Sequence, residues 1–221
     1  MTRASARSKL TAAEYLAWER EQADKHEFDA GEAFTVAGES PRHHWIAGNV
    51  QSALKRALDD RCFTFTSDQR IMFDGAARYV YPDASVVCGQ VMLQEGTTDV
   101  LVNPTILVEV LSSATEPYDR GLKWEGDQRL ASLTDYLLVA QHEIRVEQFQ
   151  RASDSRWFYR AYGPGERVPL SNGAQIDVDA ITRARSSCPK PDWFATDRSS
   201  PPSRAIAYDS ESSWVASSPL M

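Results

Sequence analysis

Cysteine is scarce in this 221-residue chain: Cys62, Cys88 and Cys188 are odd in number and no two form a CxxC pair. That usage indicates neither a disulfide framework nor a zinc site, and it fits a cytoplasmic protein. Long apolar runs are missing as well. Nothing approaches the roughly 18 consecutive apolar residues of a membrane span, so no membrane association is expected. Residues 1–9 are basic but lack the apolar centre of a signal peptide, and they read as a short disordered arm. Positive charge is in deficit, with 24 Lys and Arg against 31 Asp and Glu, a net charge of −7. The molecule as a whole does not attract nucleic acid, so DNA binding would need a local basic patch. No internal repeat is present.

What is present is the composition of one sizeable core, 42% hydrophobic and 10% aromatic, at a length that suits one domain with appendages. That domain is expected over residues 10–185. Residues 186–221 hold ten serines and five prolines without periodicity and read as a disordered tail, whose isolated aromatics leave open a short motif that docks on a partner. Within the domain, Thr11 with Glu14 three residues later forms a capping box. It predicts a helix carrying Tyr15, Leu16 and Trp18 inward and ending near residues 24–27. Residues 32–36 read as a strand. Ser40-Pro41 then starts a second helix, to about Leu58, with Trp45, Ile46, Val50, Ala53, Leu54 and Leu58 on one face and Arg42, His43, Lys55 and Arg56 on the other. Residues 62–73 and 79–87 read as two β-segments joined by a turn at Asp74-Gly75. A strand around Glu109 follows, then a helix from Thr115 to about Ala131, then strands at 135–140, 144–150 and 157–162. The order predicts an α/β domain, a mixed β-sheet flanked by helices.

Two of these segments carry a carboxylate where a buried strand ordinarily has none. The run Ile106-Leu107-Val108-Glu109-Val110-Leu111 is continuously apolar and rich in β-branched residues, the pattern of a strand buried on both faces. Glu109 lies inside it. An ionised carboxylate there calls for a metal ion, an Arg or Lys partner, or a raised pKa. Asp83 poses the same question, because it follows Pro82 and precedes another apolar run. Two carboxylates on neighbouring strands can hold a divalent cation, which orients a water and stabilises charge building on a phosphate. A nearby lysine would steady that charge, and Lys123, which shares a helix face with Asp119 four residues earlier, is the best placed. The alternatives are structural: Arg70 or Lys123 as a simple partner for Glu109, Asp83 as a strand-start cap, Glu27 as a loop cap, and Asp119 with Lys123 as a surface ion pair.

Asp83 behind a proline followed by Glu109 in a buried strand resembles the PD-(D/E)XK nuclease pattern. The pieces Lys25-His26-Glu27-Phe28-Asp29-Ala30-Gly31-Glu32, Ser40-Pro41-Arg42-His43, Ser67-Asp68-Gln69-Arg70, Tyr81-Pro82-Asp83, Val108-Glu109-Val110-Leu111-Ser112 and Tyr118-Asp119-Arg120-Gly121-Leu122-Lys123 resemble, in that order, the Uma-type restriction endonuclease family, over roughly residues 10–181. The resemblance implies a restriction-endonuclease-like fold and a Mg²⁺-dependent (or Mn²⁺-dependent) endonuclease acting on DNA. It implies Asp83 and Glu109 as metal ligands, Glu27 as an auxiliary carboxylate and Lys123 as the catalytic lysine. His43, Arg70, Asp119 and Arg120 stand as candidates for substrate contact. Cutting both strands takes two sites, so a homodimer is expected. Two departures stand out. Leu111 occupies the position where the general pattern has lysine, and Asp127 lies where family members tend to show a tyrosine. A nuclease-fold binding or scaffolding module without catalysis, and a hydrolase of other phosphate esters, are the competing readings.

Overall fold

The computed structural model describes residues 9–36, 38–112 and 116–182, all within the compact unit that spans Met1–Ser186. The expected N-terminal arm, Lys9 apart, and the expected tail lie outside the described residues. The first helix, α1 (Ala12–Glu19), starts as the capping box predicts: the Thr11 hydroxyl accepts from the Glu14 N–H, and the Glu14 carboxylate accepts from the Thr11 N–H at 2.8 Å. It stops earlier than expected. Residues expected at the helix end form instead a strand, β1 (His26–Asp29), which turns back into β2 (Glu32–Thr35) through Ala30 and Gly31, both at positive φ. Two successive residues at positive φ give a turn whose twist matches a hairpin.

Helix α2 (Pro41–Ala57) is capped by the Ser40 hydroxyl and buries Ile46, Val50, Ala53 and Leu54 on the predicted face. Trp45 departs from the prediction and is 38% exposed. The two β-segments expected after it each break in two, giving β3 (Cys62–Thr66), β4 (Arg70–Phe73), β5 (Arg78–Val80) and β6 (Ala84–Cys88). The cause of the second break is local, since Pro82 has no N–H to give a ladder. Its consequence is large: β4 and β5 belong to one sheet, β3 and β6 to another, and Asp83 sits where the chain crosses between them. After β7 (Val100–Leu101) comes β8 (Ile106–Leu111), buried at every residue. Strands β9 (Asp135–Ala140), β10 (Val146–Arg151) and β11 (Trp157–Tyr162) match expectation closely, and the short pair β12 (Arg167–Pro169) and β13 (Gln175–Asp177) was not foreseen.

The sheets run β2-β1-β5-β4-β7 and β11-β10-β9-β8-β6-β3, with β8 parallel to β9 and antiparallel to β6. Helix α2 packs on one face of the six-stranded sheet, against Ala84, Val86, Val108 and Val110. Leu107, Leu111 and Val87 look the other way, into a second core shared with Ile71, Phe73 and Val80 of the five-stranded sheet. No helix among the described residues is long and apolar enough to cross a membrane.

One expectation is overturned. Cys62 and Cys88 are register partners across β3 and β6 and form a disulfide. An odd cysteine count conceals such a pair, because what brings the two thiols together is strand pairing between residues 26 apart. Disulfides persist in oxidising surroundings, so cysteine usage no longer argues for the cytoplasm.

Candidate active site

The register between β6 and β8 pairs Ala84 with Val108; one step further places Asp83 across from Glu109. The loop carboxylate is tied to the buried strand directly, since Asp83 Oδ2 accepts the Val110 N–H at 2.7 Å. Its Oδ1 lies 2.8 Å from Nε2 of His43, one turn into α2. Glu109 shares strand parity with Leu107 and Leu111 and so faces the second core, away from α2.

The ammonium that Glu109 calls for arrives from the helix after β8. That helix is interrupted by a π-turn, Asp119–Lys123, lying between helical pieces Glu116–Tyr118 and Trp124–Asp127. Lys123 Nζ reaches to 2.8 Å from Glu109 Oε1, 3.2 Å from Glu27 Oε1 on β1 and 4.0 Å from Asp119 Oδ1. Glu27 is held in turn by the Tyr81 N–H at 3.2 Å and the Tyr118 hydroxyl at 3.4 Å. All four charged side chains are buried. Sequence position alone does not explain this cluster, because Glu27 and Lys123 lie 96 residues apart.

Burial by itself would strip the proton from Lys123. The surrounding Glu109, Glu27 and Asp119 outweigh it, and the lysine is held well above its ordinary range as an ammonium. Burial drives the Glu109 carboxyl well upward; Lys123 opposes this, while Asp119 and Asp83 add to it. The Glu109–Lys123 contact is a close ion pair, 2.8 Å between Nζ and Oε1. His43 is buried too. Desolvation pulls its pKa down, but the hydrogen bond and charge of Asp83, with Glu39 and Asp119 behind it, raise the net value. Gln141 Nε2 lies 3.3 Å from His43 Nδ1, which suits a ring whose Nε2 carries the proton toward Asp83.

The fold therefore brings together Glu27, His43, Asp83, Glu109, Asp119 and Lys123. It does not bring in Arg70 and Arg120. Arg70 is spent on Tyr81 and Asp99, at 2.8 and 3.1 Å. Arg120 forms a two-pronged pair with Glu147 of β10, at 2.6 and 2.9 Å, and a third bond to Glu116. Leu111, standing where the general pattern has lysine, is packed in the second core, and the positive charge comes from Lys123 instead. Sequence reading missed Arg78, Tyr118, Tyr81 and Gln141 as neighbours of the site. Tyr118 and Tyr81 stood inside motif pieces, whereas Arg78 sits in an unremarkable hairpin and gave no signal.

Among the described residues no three His, Cys, Asp or Glu side chains converge as a metal site of their own. Asp83 and Glu109 offer two carboxylates, and with Glu27 and Asp119 they stand around one ammonium, Lys123, and one imidazole, His43, which Glu39 also approaches at 3.6 Å. The cluster is short of positive charge.

Known proteins share the fold and the family. The crystal structure described as "a putative nuclease belonging to DUF820 from Anabaena variabilis" superposes with a TM-score of 0.61 over 78% of this chain and 97% of its own, at 17% identity. The shared fold is the restriction-endonuclease-like one. Two uncharacterized proteins of Synechocystis, slr1290 and sll1609, are each 33% identical, over 177 residues (79% of this chain, 92% of theirs) and 149 residues (67% and 84%). The family model described as "Uma2: Putative restriction endonuclease" matches residues 12–184, so the chain belongs to the Uma2 family.

Proposed function

We propose that this chain is a divalent-metal-dependent nuclease that hydrolyses phosphodiester bonds in DNA. The observation that carries the reading is the buried surplus of carboxylates around Lys123, arranged on two sheets and one helix with Asp83 and Glu109 across from each other. Asp83 and Glu109 would hold Mg²⁺ or Mn²⁺. Two protein carboxylates, completed by waters and phosphate oxygens, are the usual donor set for Mg²⁺. Such an ion supplies charge stabilisation for a phosphate under attack and orients a water.

The chain's own residues supply the rest. His43 and the Val110 N–H fix Asp83, each taking one lone pair of a different oxygen and leaving a second lone pair on each. Lys123 opposes the upward pull of burial on Glu109 without cancelling it, and a bound cation would add to that opposition. The Lys123 ammonium would also stabilise charge that develops on phosphate oxygens. Glu27 holds Lys123 from the opposite side. His43, buried and committed to Asp83, serves as an orienting group and not as a substrate contact, and Arg70 and Arg120 serve as struts. Cutting both strands of a duplex would use two copies of the chain, a homodimer.

The test is plasmid nicking in Mg²⁺ or Mn²⁺. The wild-type chain is expected to nick, and Asp83→Ala and Glu109→Gln to lose at least about 100-fold in rate. Equal nicking by wild type and both variants would sink the reading. One observation favours a second reading, a binding or scaffolding module without catalysis: Lys123 already sits 2.8 Å from Glu109, where it could replace a metal for good. Calorimetric titration with Mg²⁺ in the presence of an oligonucleotide separates the two. Heat of binding in wild type that vanishes in Glu109→Gln supports the nuclease, and DNA retention without metal binding supports the module.

A further inference from the structure

We infer that Arg78 is a positioning residue that sets the Lys123–Glu27 pair, an inference that rests on the nuclease reading above. Arg78 is buried on β5, one strand over from Glu27 on β1. Its Nη1 donates to the main-chain carbonyl of Lys123 at 3.2 Å, and its Nη2 donates to the Tyr118 hydroxyl at 3.2 Å. That hydroxyl reaches on to Glu27 Oε2 at 3.4 Å. A single guanidinium thus grips the backbone that carries the ammonium and, through one intervening hydroxyl, the carboxylate that the ammonium binds.

The helix is shaped around this guanidinium. Gly126 has no Cβ, and one built there would fall on Arg78 Nη1, well inside van der Waals contact. One residue on, the fully buried Asp127 places Oδ1 3.5 Å from the same nitrogen. The Lys123 carbonyl lies at the end of the π-turn, and π-bulges disturb the regular carbonyl pairing of a helix, so a side-chain donor can take the place of a main-chain one. Only a planar fork can meet the Lys123 carbonyl, the Tyr118 hydroxyl and Asp127 together; a lysine at position 78 could meet one of them at a time. None of these contacts touches Asp83 or Glu109 directly, so Arg78 reaches Glu109 only through Lys123.

The test is a double-mutant cycle read by plasmid nicking in Mg²⁺, with Arg78→Lys, Lys123→Met and the two combined, alongside Mg²⁺ titration calorimetry. Arg78→Lys is expected to lower kcat about tenfold or more, with half-saturating plasmid concentration within about twofold and Mg²⁺ affinity changed less than kcat. The combined variant is expected to be no slower than Lys123→Met, because the two residues act as one unit. Full activity in a folded Arg78→Lys, or losses that multiply in the combined variant, would overturn the inference. Where Arg78→Lys fails to fold, Tyr118→Phe removes only the hydroxyl link; a several-fold loss of kcat, again absent when added to Lys123→Met, supports the inference, and no loss overturns it. The failures are separable. A wild type that nicks, a dead Glu109→Gln and a fully active Arg78→Lys sink only the role of Arg78, whereas a wild type inactive in Mg²⁺ and Mn²⁺, or nicking untouched in Glu109→Gln, sinks the nuclease reading and this inference with it.

Discussion

Glu109 and Asp135 sit on adjacent parallel strands of one sheet, both buried, and the fold treats them in opposite ways. Asp135 is surrounded by neutral donors: Oδ1 takes the Gln148 and Gln150 amides at 2.9 and 3.1 Å, and Oδ2 takes the Ser171 N–H at 3.1 Å and lies 2.9 Å from the Thr134 hydroxyl, whose one proton the Thr105 carbonyl also competes for at 3.0 Å. Glu109 meets one ammonium, at 2.8 Å, and has like charges nearby in Asp83 and Asp119. Burial is the same in both places, so burial does not mark a site. What separates them is that a structural carboxylate is surrounded by neutral hydrogen-bond donors, whereas the candidate catalytic one is left in an unresolved electrostatic field that a bound cation would settle.

The hardest way to break this comparison is to take away the ammonium. Lys123→Met leaves Glu27, Glu109 and Asp119 buried beside one another without their shared partner, and removing one side of a buried ion pair costs about 3–5 kcal/mol. The loss should be greatest at neutral pH and shrink on acidification, because burial already raises the Glu109 carboxyl and without Lys123 it takes up a proton in the native state before it does in the unfolded chain. Urea unfolding of wild type and variant at pH 7.5 and pH 5.5 measures both effects. A variant as stable as wild type at both pH values would mean that the cluster is already neutral, and the contrast with Asp135 would collapse.

Asp127 offers an intermediate case. It is fully buried, no hydrogen bond reaches either oxygen, and Arg78 stands 3.5 Å away; burial pushes its pKa up to about 7, with Arg78 and Lys123 only partly opposing. The folded value lies above the unfolded 3.8, so the native state binds the extra proton between those two pH values. The stabilisation is complete below about pH 4 and is lost as pH rises through about 7. Asp127→Asn should remove that slope, up to about 1.4 kcal/mol per pH unit in the window. Thermal unfolding of both proteins from pH 5 to pH 8 reads it, and parallel curves would remove Asp127 from the intermediate place.

Much of this was legible before any coordinates, and the reasons are particular. Glu109 was visible because a single charge inside a continuous apolar run contradicts its surroundings, and Asp83 because Pro82 marks a strand start. Ser40 and Thr11 announced their helices through capping chemistry that depends on neighbours three residues away. What stayed hidden depended on distant partners. The assignment of β3 and β6 to one sheet and β4 and β5 to another, the Cys62–Cys88 bond and the contact of Arg78 with Lys123 all arise from pairing over long separations. Arg70 and Arg120 show the same limit from the other side, since sequence offers them as candidates for substrate contact, and Arg70 also as a partner for Glu109, while in space they pair with Asp99 and Glu147.

The finest test sets two conservative changes against each other and asks for opposite signs. Asp135→Asn replaces an acceptor-only group with an amide, so one or more of its four donors loses its partner and the domain should lose about 1–3 kcal/mol. Nicking should persist at temperatures where the variant is folded, because none of those donors belongs to the site. Glu109→Gln removes one negative charge from a cluster that has too many, and Lys123 keeps Glu27 and Asp119 as partners. Its stability should be unchanged or higher by up to about 1 kcal/mol, while nicking is lost, as expected where a site is held in a state that favours function over stability. Urea midpoints measured side by side decide the matter. A Glu109→Gln protein destabilised as much as Asp135→Asn would place Glu109 among the structural carboxylates, leave Lys123 as its permanent partner, and make the binding-module reading the better one.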